Sequence, residues 1–151
     1  MDVPRSTYRV QFTADFGFAD ARRLTTYLAR LGIGALYASP FLAARQGSTH
    51  GYDVVDPSRL NPALGTDAEF EDLVAVLHDH GMGLVLDIVP NHMAASPENA
   101  WWTDVLERGP GSPYASTFDI DWYRADASPT GEAQVLLPIL GSYFGEVLES
   151  G

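Results

Sequence analysis

Asp87, Asn91 and His92 fall within six consecutive positions of the stretch GLVLDIVPNHMA, residues 83–94. A carboxylate, a carboxamide and an imidazole at that spacing can exchange hydrogen bonds with hydroxyl groups, and the imidazole can also carry a proton near neutral pH. The apolar run before Asp87 reads as a strand covered on both faces, which puts the polar trio at or just past its carboxyl end. Ligands of parallel α/β sheets sit at such ends, where successive loops converge. Two plainer readings stand beside this one: Asp87 as a buried carboxylate that accepts loop N–H groups, and His92 as an imidazole on a surface loop.

Tyr52 lies in GSTHGYDVVDP, residues 47–57, on the loop after the second expected strand, and it faces the same mouth as His92. An aromatic face beside neutral hydrogen-bonding groups suits a sugar ring, whose C–H side wants an apolar platform and whose hydroxyls want donors and acceptors. Ordinary loop packing is the alternative for Tyr52, and a local hydrophobic cluster is the favoured reading for Trp101 and Trp102. His78 and His80 are two apart at a helix end, so they point to different sides and make a poor metal pair. They read as solvated residues favoured by the negative helix terminus.

The elements that must position these residues are legible from periodicity. TYRVQF, residues 7–12, favours a strand, and Leu24, Tyr27, Leu28 and Leu31 then recur at helical spacing before Gly32 supplies a stop. IGALYASP, residues 33–40, reads as a second strand ended by Pro40, followed by a long polar loop to residue 65. Thr66 and Glu69 form a capping box at the next helix start, with Phe70, Leu73, Val74 and Leu77 as its apolar face and Gly81 as its stop. Strand, helix, strand, loop, helix, strand implies a parallel sheet. From Ala94 the rhythm ends, and the remainder reads as an irregular excursion with a loose polar segment at 124–134 and the apolar run VLLPILG, residues 135–141.

Bulk properties narrow the function. The 151 residues are 46% apolar and suffice for one compact domain with a core. The net charge of −11 comes with no basic cluster, which argues against nucleic acid, and no apolar run approaches the length of a membrane span. The start MDVPRSTYRVQF lacks a secretory pattern, so a cytoplasmic location is expected. The absence of cysteine excludes disulfides, thiol catalysis and Cys-based zinc sites.

The pattern Asp87-Ile-Val-Pro-Asn91-His92 resembles the first conserved region of glycoside hydrolase family 13, the α-amylase superfamily, which ends the third barrel strand there. More narrowly, TYRVQF, LYASP, GSTHGYDVVDP, GMGLVLDIVPNHMA, ENAWWTDVLERGP, YASTFDIDW and LLPILGSYFGEVLESG are similar to trehalose-forming members of that superfamily, across nearly the whole chain. The resemblance implies an α/β fold, the amino-terminal part of a (β/α)8 TIM barrel, with about three βα units in residues 1–93 and the start of an inserted subdomain in 94–151. It implies a malto-oligosaccharide partner, an α-1,4-glucan whose reducing-end linkage is converted to α,α-1,1 by intramolecular transglucosylation, and no cofactor.

Residue roles follow from the same resemblance. His92 would hydrogen-bond the glucose in the cleavage subsite, Tyr52 would stack on that ring, and Asp87 would hold the loops beneath them, with Asn91, His50 and Asp53 also at substrate-binding positions. Asn91 matches a metal-ligand position of calcium-dependent members, but one asparagine falls far short of the six or more oxygens that calcium takes, so no metal is expected. Retaining glycosidases need two carboxyl groups about 5 Å apart. In this family they come from the fourth and fifth strands, with a third acid from the seventh. Asp119, Asp121, Glu132, Glu146 and Glu149 match none of those regions, so the chain by itself is expected to be inactive. Another superfamily glycosidase or transglycosylase, or a non-catalytic glucan-binding module, are the rival readings.

Overall fold

The computed structural model describes residues 3–122, 135, 137 and 140–150. They form two compact units, Met1–Thr103 and Asp104–Gly151. The first is built on three parallel strands, β1 (Thr7–Val10), β2 (Ala35–Ala38) and β5 (Gly83–Leu86), in the spatial order β1-β2-β5. Helix α1 (Phe18–Arg30) lies between β1 and β2 in sequence, and α2 (Asp67–Asp79) leads into β5. Parallel strands thus alternate with helices, and the sheet does not close into a barrel among the described residues.

The register aligns Thr7 with Ala35 and Gly83, and Arg9 with Tyr37 and Val85. Successive side chains alternate across a strand, so these residues share one face while Val10, Leu36, Ala38 and Leu84 share the other. The second face packs against the helices: Phe18, Ala21 and Leu28 of α1 and Leu73 and Leu77 of α2 are all within 1% of complete burial. Burying a Leu or Phe side chain of this kind contributes roughly 1.5–3 kcal/mol. Phe18 sits at the centre of an aromatic cluster, with ring centroids 5.4 Å from Phe12, 6.1 Å from Phe41 and 5.2 Å from Phe70, in edge-on geometries that favour aromatic pairs.

Both helix stops follow their glycines. Gly32 and Gly81 take φ of +87° and +66°, and the next N–H reaches back to the carbonyl five residues earlier, from Ile33 to Leu28 and from Met82 to Leu77. The capping box at Thr66 forms, with Thr66 Oγ1 accepting from Glu69 N–H and the Glu69 carboxylate accepting from Thr66 N–H.

The buried face of α1 runs through Phe18, Ala21, Thr25 and Leu28, whereas Tyr27 and Leu31 are 60% and 55% exposed. The Leu-and-Tyr spacing is helical, but the close packing is carried by Phe18, Ala21, Leu28 and a threonine, Thr25, whose hydroxyl bonds back to Ala21 O. The segment to residue 65 is not all loop: β3 (Leu42–Ala44) and β4 (Val54–Leu60) pair antiparallel, with register shifts, and Pro62–Leu64 forms a 3-10 turn. Its Asp-Pro-Ser-Arg centre hides the strand, because Pro57, Ser58 and Arg59 are exposed and β4 belongs to a two-stranded sheet that tolerates proline. Strand β5 is not covered on both faces, since Val85 and Leu86 are 37% and 48% exposed. It pairs with β2 alone among the described residues.

The stretch beyond Ala94 is also more regular than expected. Ala94 N–H donates to Val54 O at 2.8 Å, and Ala94 packs with Ala43 and Val55. Fully buried Asn99 then starts helix α3 (Ala100–Arg108): its Oδ1 accepts from the N–H groups of Trp101 and Trp102, and its Nδ2 donates to Ala94 O. In the second unit, Ser112 Oγ donates to Asp104, and α4 (Phe144–Ser150) is a short helix. The expected polar segment at 124–134, and residues 136, 138 and 139 of the apolar run at 135–141, lie outside the described residues. No helix among the described residues is long and apolar enough to cross a membrane.

Candidate functional site

The carboxyl ends of β1, β2 and β5 bring together residues far apart in sequence. Asp87 follows β5 directly, and its N–H donates to Ala38 O at 3.0 Å, which extends the strand ladder by one bond and fixes where the carboxylate leaves the sheet. Asp87 Oδ2 accepts from the Tyr52 hydroxyl at 2.7 Å and from Arg9 Nη1 at 2.8 Å. Arg9 Nη2 donates to the Tyr52 oxygen at 3.1 Å, so the three groups close a ring of hydrogen bonds. The Arg9 guanidinium also lies over the Tyr37 ring, 4.7 Å from its centroid, a cation–π geometry set by the β1–β2 register.

The electrostatics follow from these contacts. Donation by Tyr52, then by Arg9, holds the Asp87 carboxyl below the usual carboxylate range, with a smaller contribution from Tyr37. The bond to Asp87 raises the Tyr52 phenol, because ionising it would put a second negative charge beside the carboxylate. The same carboxylate raises Arg9. At neutral pH, Asp87 is ionised and engaged, and Tyr52 has committed its proton. The cluster is built to hold geometry rather than to move protons.

Tyr52 is placed by its loop. Ser48 Oγ accepts from Gly51 N–H at 3.1 Å and donates to Asp53 in a short hydrogen bond, while Arg45 N–H donates to Asp53 O. Gly51 takes φ of +78°, and a Cβ there would stand 2.6 Å from Pro40 O, so only glycine lets the loop lie this close to the end of β2. His50 Nδ1 accepts from Tyr52 N–H at 3.0 Å, and the two rings stack at 5.8 Å with 26° between their planes. Asp53 stands 3.8 Å from His50 Nδ1.

The six expected substrate-binding residues thus fall into two groups. Asp87, Tyr52, His50 and Asp53 are joined through hydrogen bonds, ring stacking and one close approach between His50 and Asp53. Asn91 and His92 pair with each other, Asn91 Oδ1 to His92 Nδ1 at 3.0 Å, and both are exposed. Asp87 was expected to accept loop N–H groups; its hydrogen-bond partners are instead side chains from β1 and the Tyr52 loop. His80, expected to be simply solvated, bonds Val76 O through Nδ1 and stands 3.4 Å from Thr26 Oγ1 through Nε2. No group of three or more potential metal ligands occurs among the described residues.

Arg9 and Tyr37 escaped the sequence reading. One signal was available: Arg9 interrupts an otherwise uncharged strand in a strongly acidic chain, and strand alternation directs it to one face of the sheet end where Asp87 awaits a partner.

Comparison with known proteins places the chain in a family. The Alpha-amylase family, described as the alpha amylase catalytic domain, matches residues 22–147. A Mycobacterium tuberculosis protein described as a maltooligosyl trehalose synthase is 49% identical over 144 residues, covering 91% of this chain and 18% of that protein. The maltooligosyltrehalose synthase of Arthrobacter ramosus superimposes with a TM-score of 0.75 at 51% identity, over 79% of this chain and 16% of that one. A further maltooligosyl trehalose synthase crystal structure gives a TM-score of 0.82 at 40% identity, over 99% of this chain and 20% of that one. The chain therefore spans about a fifth of the length of these relatives, and across that span it belongs to the alpha-amylase family, with maltooligosyl trehalose synthases among its close homologues.

Proposed function

We propose that the chain forms the first three barrel strands of a maltooligosyl trehalose synthase, with residues from Ala94 onward beginning an inserted subdomain. The completed enzyme takes a malto-oligosaccharide and converts its reducing-end α-1,4 linkage to α,α-1,1 by intramolecular transglucosylation. One observation carries the reading: the Tyr52 ring is fixed at the carboxyl ends of the parallel strands by Asp87 and Arg9, in a chain half identical to synthases of this kind.

In that setting the residues divide the work. Tyr52 offers a ring face to the C–H side of a glucose unit, and Asn91 and His92 supply hydrogen-bonding groups on the adjoining loop. Asp87 anchors the loop architecture and is neither nucleophile nor acid, since its carboxylate is spent on Tyr52 and Arg9. Retaining transfer needs a nucleophile to form the glucosyl-enzyme and an acid to protonate the departing oxygen. Those groups lie outside this chain in our reading, so the chain alone binds glucan without turning it over.

Exchanging the matching segment of the Arthrobacter ramosus synthase for this chain tests the assignment. On maltopentaose, the chimera is expected to consume reducing ends with little glucose release. A folded chimera with no turnover, or one that releases glucose in proportion to the reducing ends consumed, would contradict it.

A further inference from the structure

We infer that Arg9 is a positioning residue that locks Tyr52 as a one-faced aromatic platform, so that Tyr52 meets a sugar through its ring and not through its hydroxyl. The inference rests on the glucan-binding reading of this site.

Three observations carry it. The Tyr52 hydroxyl gives its single proton to Asp87 Oδ2 and accepts from Arg9 Nη2, so it has no proton left for a sugar oxygen. Arg9 is itself held at two points, by Asp87 through Nη1 and by the Tyr37 ring beneath its guanidinium. A planar fork can serve carboxylate and phenol together while standing over an aromatic ring; a lysine ammonium, as a point charge, cannot. Finally, His50 stacks on one face of the Tyr52 ring, so a sugar must meet the opposite face. The lock fixes the ring edge and the stack covers one side, so ring orientation is set before any ligand arrives.

The lock predicts a pattern of coupling. Arg9→Met and Tyr52→Phe open the same fastening, so each alone is expected to weaken maltopentaose binding to the full chain by about tenfold, and the double variant by little more than either. Arg9→Lys should behave like Arg9→Met and fail to rescue. Maltopentaose titrations followed by NMR read these affinities, and the amide spectrum of each variant reports whether it is folded. Losses that multiply, toward a hundredfold in the double variant, would show that the hydroxyl acts on the sugar independently of Arg9 and would overturn the inference. So would an Arg9→Met variant that binds as tightly as the unaltered chain. Tyr52→Ala separates the two levels: if it binds maltopentaose unchanged, or if the unaltered chain does not bind, the glucan-binding reading itself falls and the positioning role falls with it.

Discussion

The Tyr52 hydroxyl donates to Asp87 Oδ2 at 2.7 Å, across 35 positions of sequence, and this contact ties the loop between β3 and β4 to the end of β5. Because Arg9 bonds both partners, the fastening joins two strands of the parallel sheet, β1 and β5, to the β3–β4 loop. It makes Asp87 an architectural carboxylate, and under the proposed function it leaves sugar binding to the Tyr52 ring and to the exposed Asn91–His92 pair.

Asp87→Ala and His92→Ala should therefore fail in different ways. Removing the carboxylate leaves Arg9 and the Tyr52 hydroxyl without their acceptor, so the melting temperature is expected to fall along with glucan affinity. His92 is exposed and opens no core on truncation. Its loss should leave the melting temperature nearly unchanged and weaken maltopentaose binding about five- to tenfold, the scale of one hydrogen bond. Calorimetry and NMR titration of both variants check this, and equal losses of stability would contradict it.

The fastening should also depend on pH at both extremes. Asp87 titrates below its ordinary range when folded, so its contribution is present above the unfolded value near 3.9 and is lost as pH falls through the folded value. Tyr52 titrates above its ordinary range, so its contribution is full below about pH 10 and is lost as pH rises through the folded value. Relative to the unaltered chain, Asp87→Asn should lose the acid-side part of this dependence. Melting temperatures of the two proteins across pH measure it, and parallel acid limbs would contradict it.

Gly51 and Gly47 offer a matched pair, since both take φ of +78°. Alanine at either position meets the left-handed backbone penalty, about 1–2 kcal/mol. Only at Gly51 does the new Cβ also meet Pro40 O, at 2.6 Å, whereas at Gly47 nothing lies within 4 Å. Gly51→Ala is thus expected to cost clearly more stability than Gly47→Ala and to disturb Tyr52 with it. Denaturant unfolding of the two variants decides the matter.

The chain as it stands should leave maltopentaose chemically unchanged. Asp87 is committed to two donors and cannot also attack a sugar or protonate a leaving oxygen. Product analysis after long incubation with purified chain is the check; glucose or a trehalose-terminated product above buffer blanks would contradict it.

The parallel core was legible from sequence because its signals are local and redundant. The periodic apolar residues of α2, the Thr66 box and the glycine stops each follow from one short stretch. The hairpin of β3 and β4 was not, because a short two-stranded sheet with Asp56, Pro57 and Ser58 at its centre shows neither alternation nor β-propensity. Asn99 as the anchor of α3 was likewise hidden, since a buried cap is recognisable only when its second partner, Ala94 O, is in view. At the site, Asp87 and Tyr52 stood out by residue type and position. Arg9 did not, because its role depends on the strand register that sets it beside Tyr37 and Asp87.

Residue-resolved NMR titration of the unaltered chain with maltopentaose tests the central claim, that the strand ends form a glucan site centred on Tyr52. The expected result is saturable shifts concentrated on Tyr52, His50, Asn91 and His92, with the Tyr52 ring protons moving most. Shifts confined to the groove on the other sheet, between Leu42, Arg59 and Phe70, or no saturable shift at all, would contradict it.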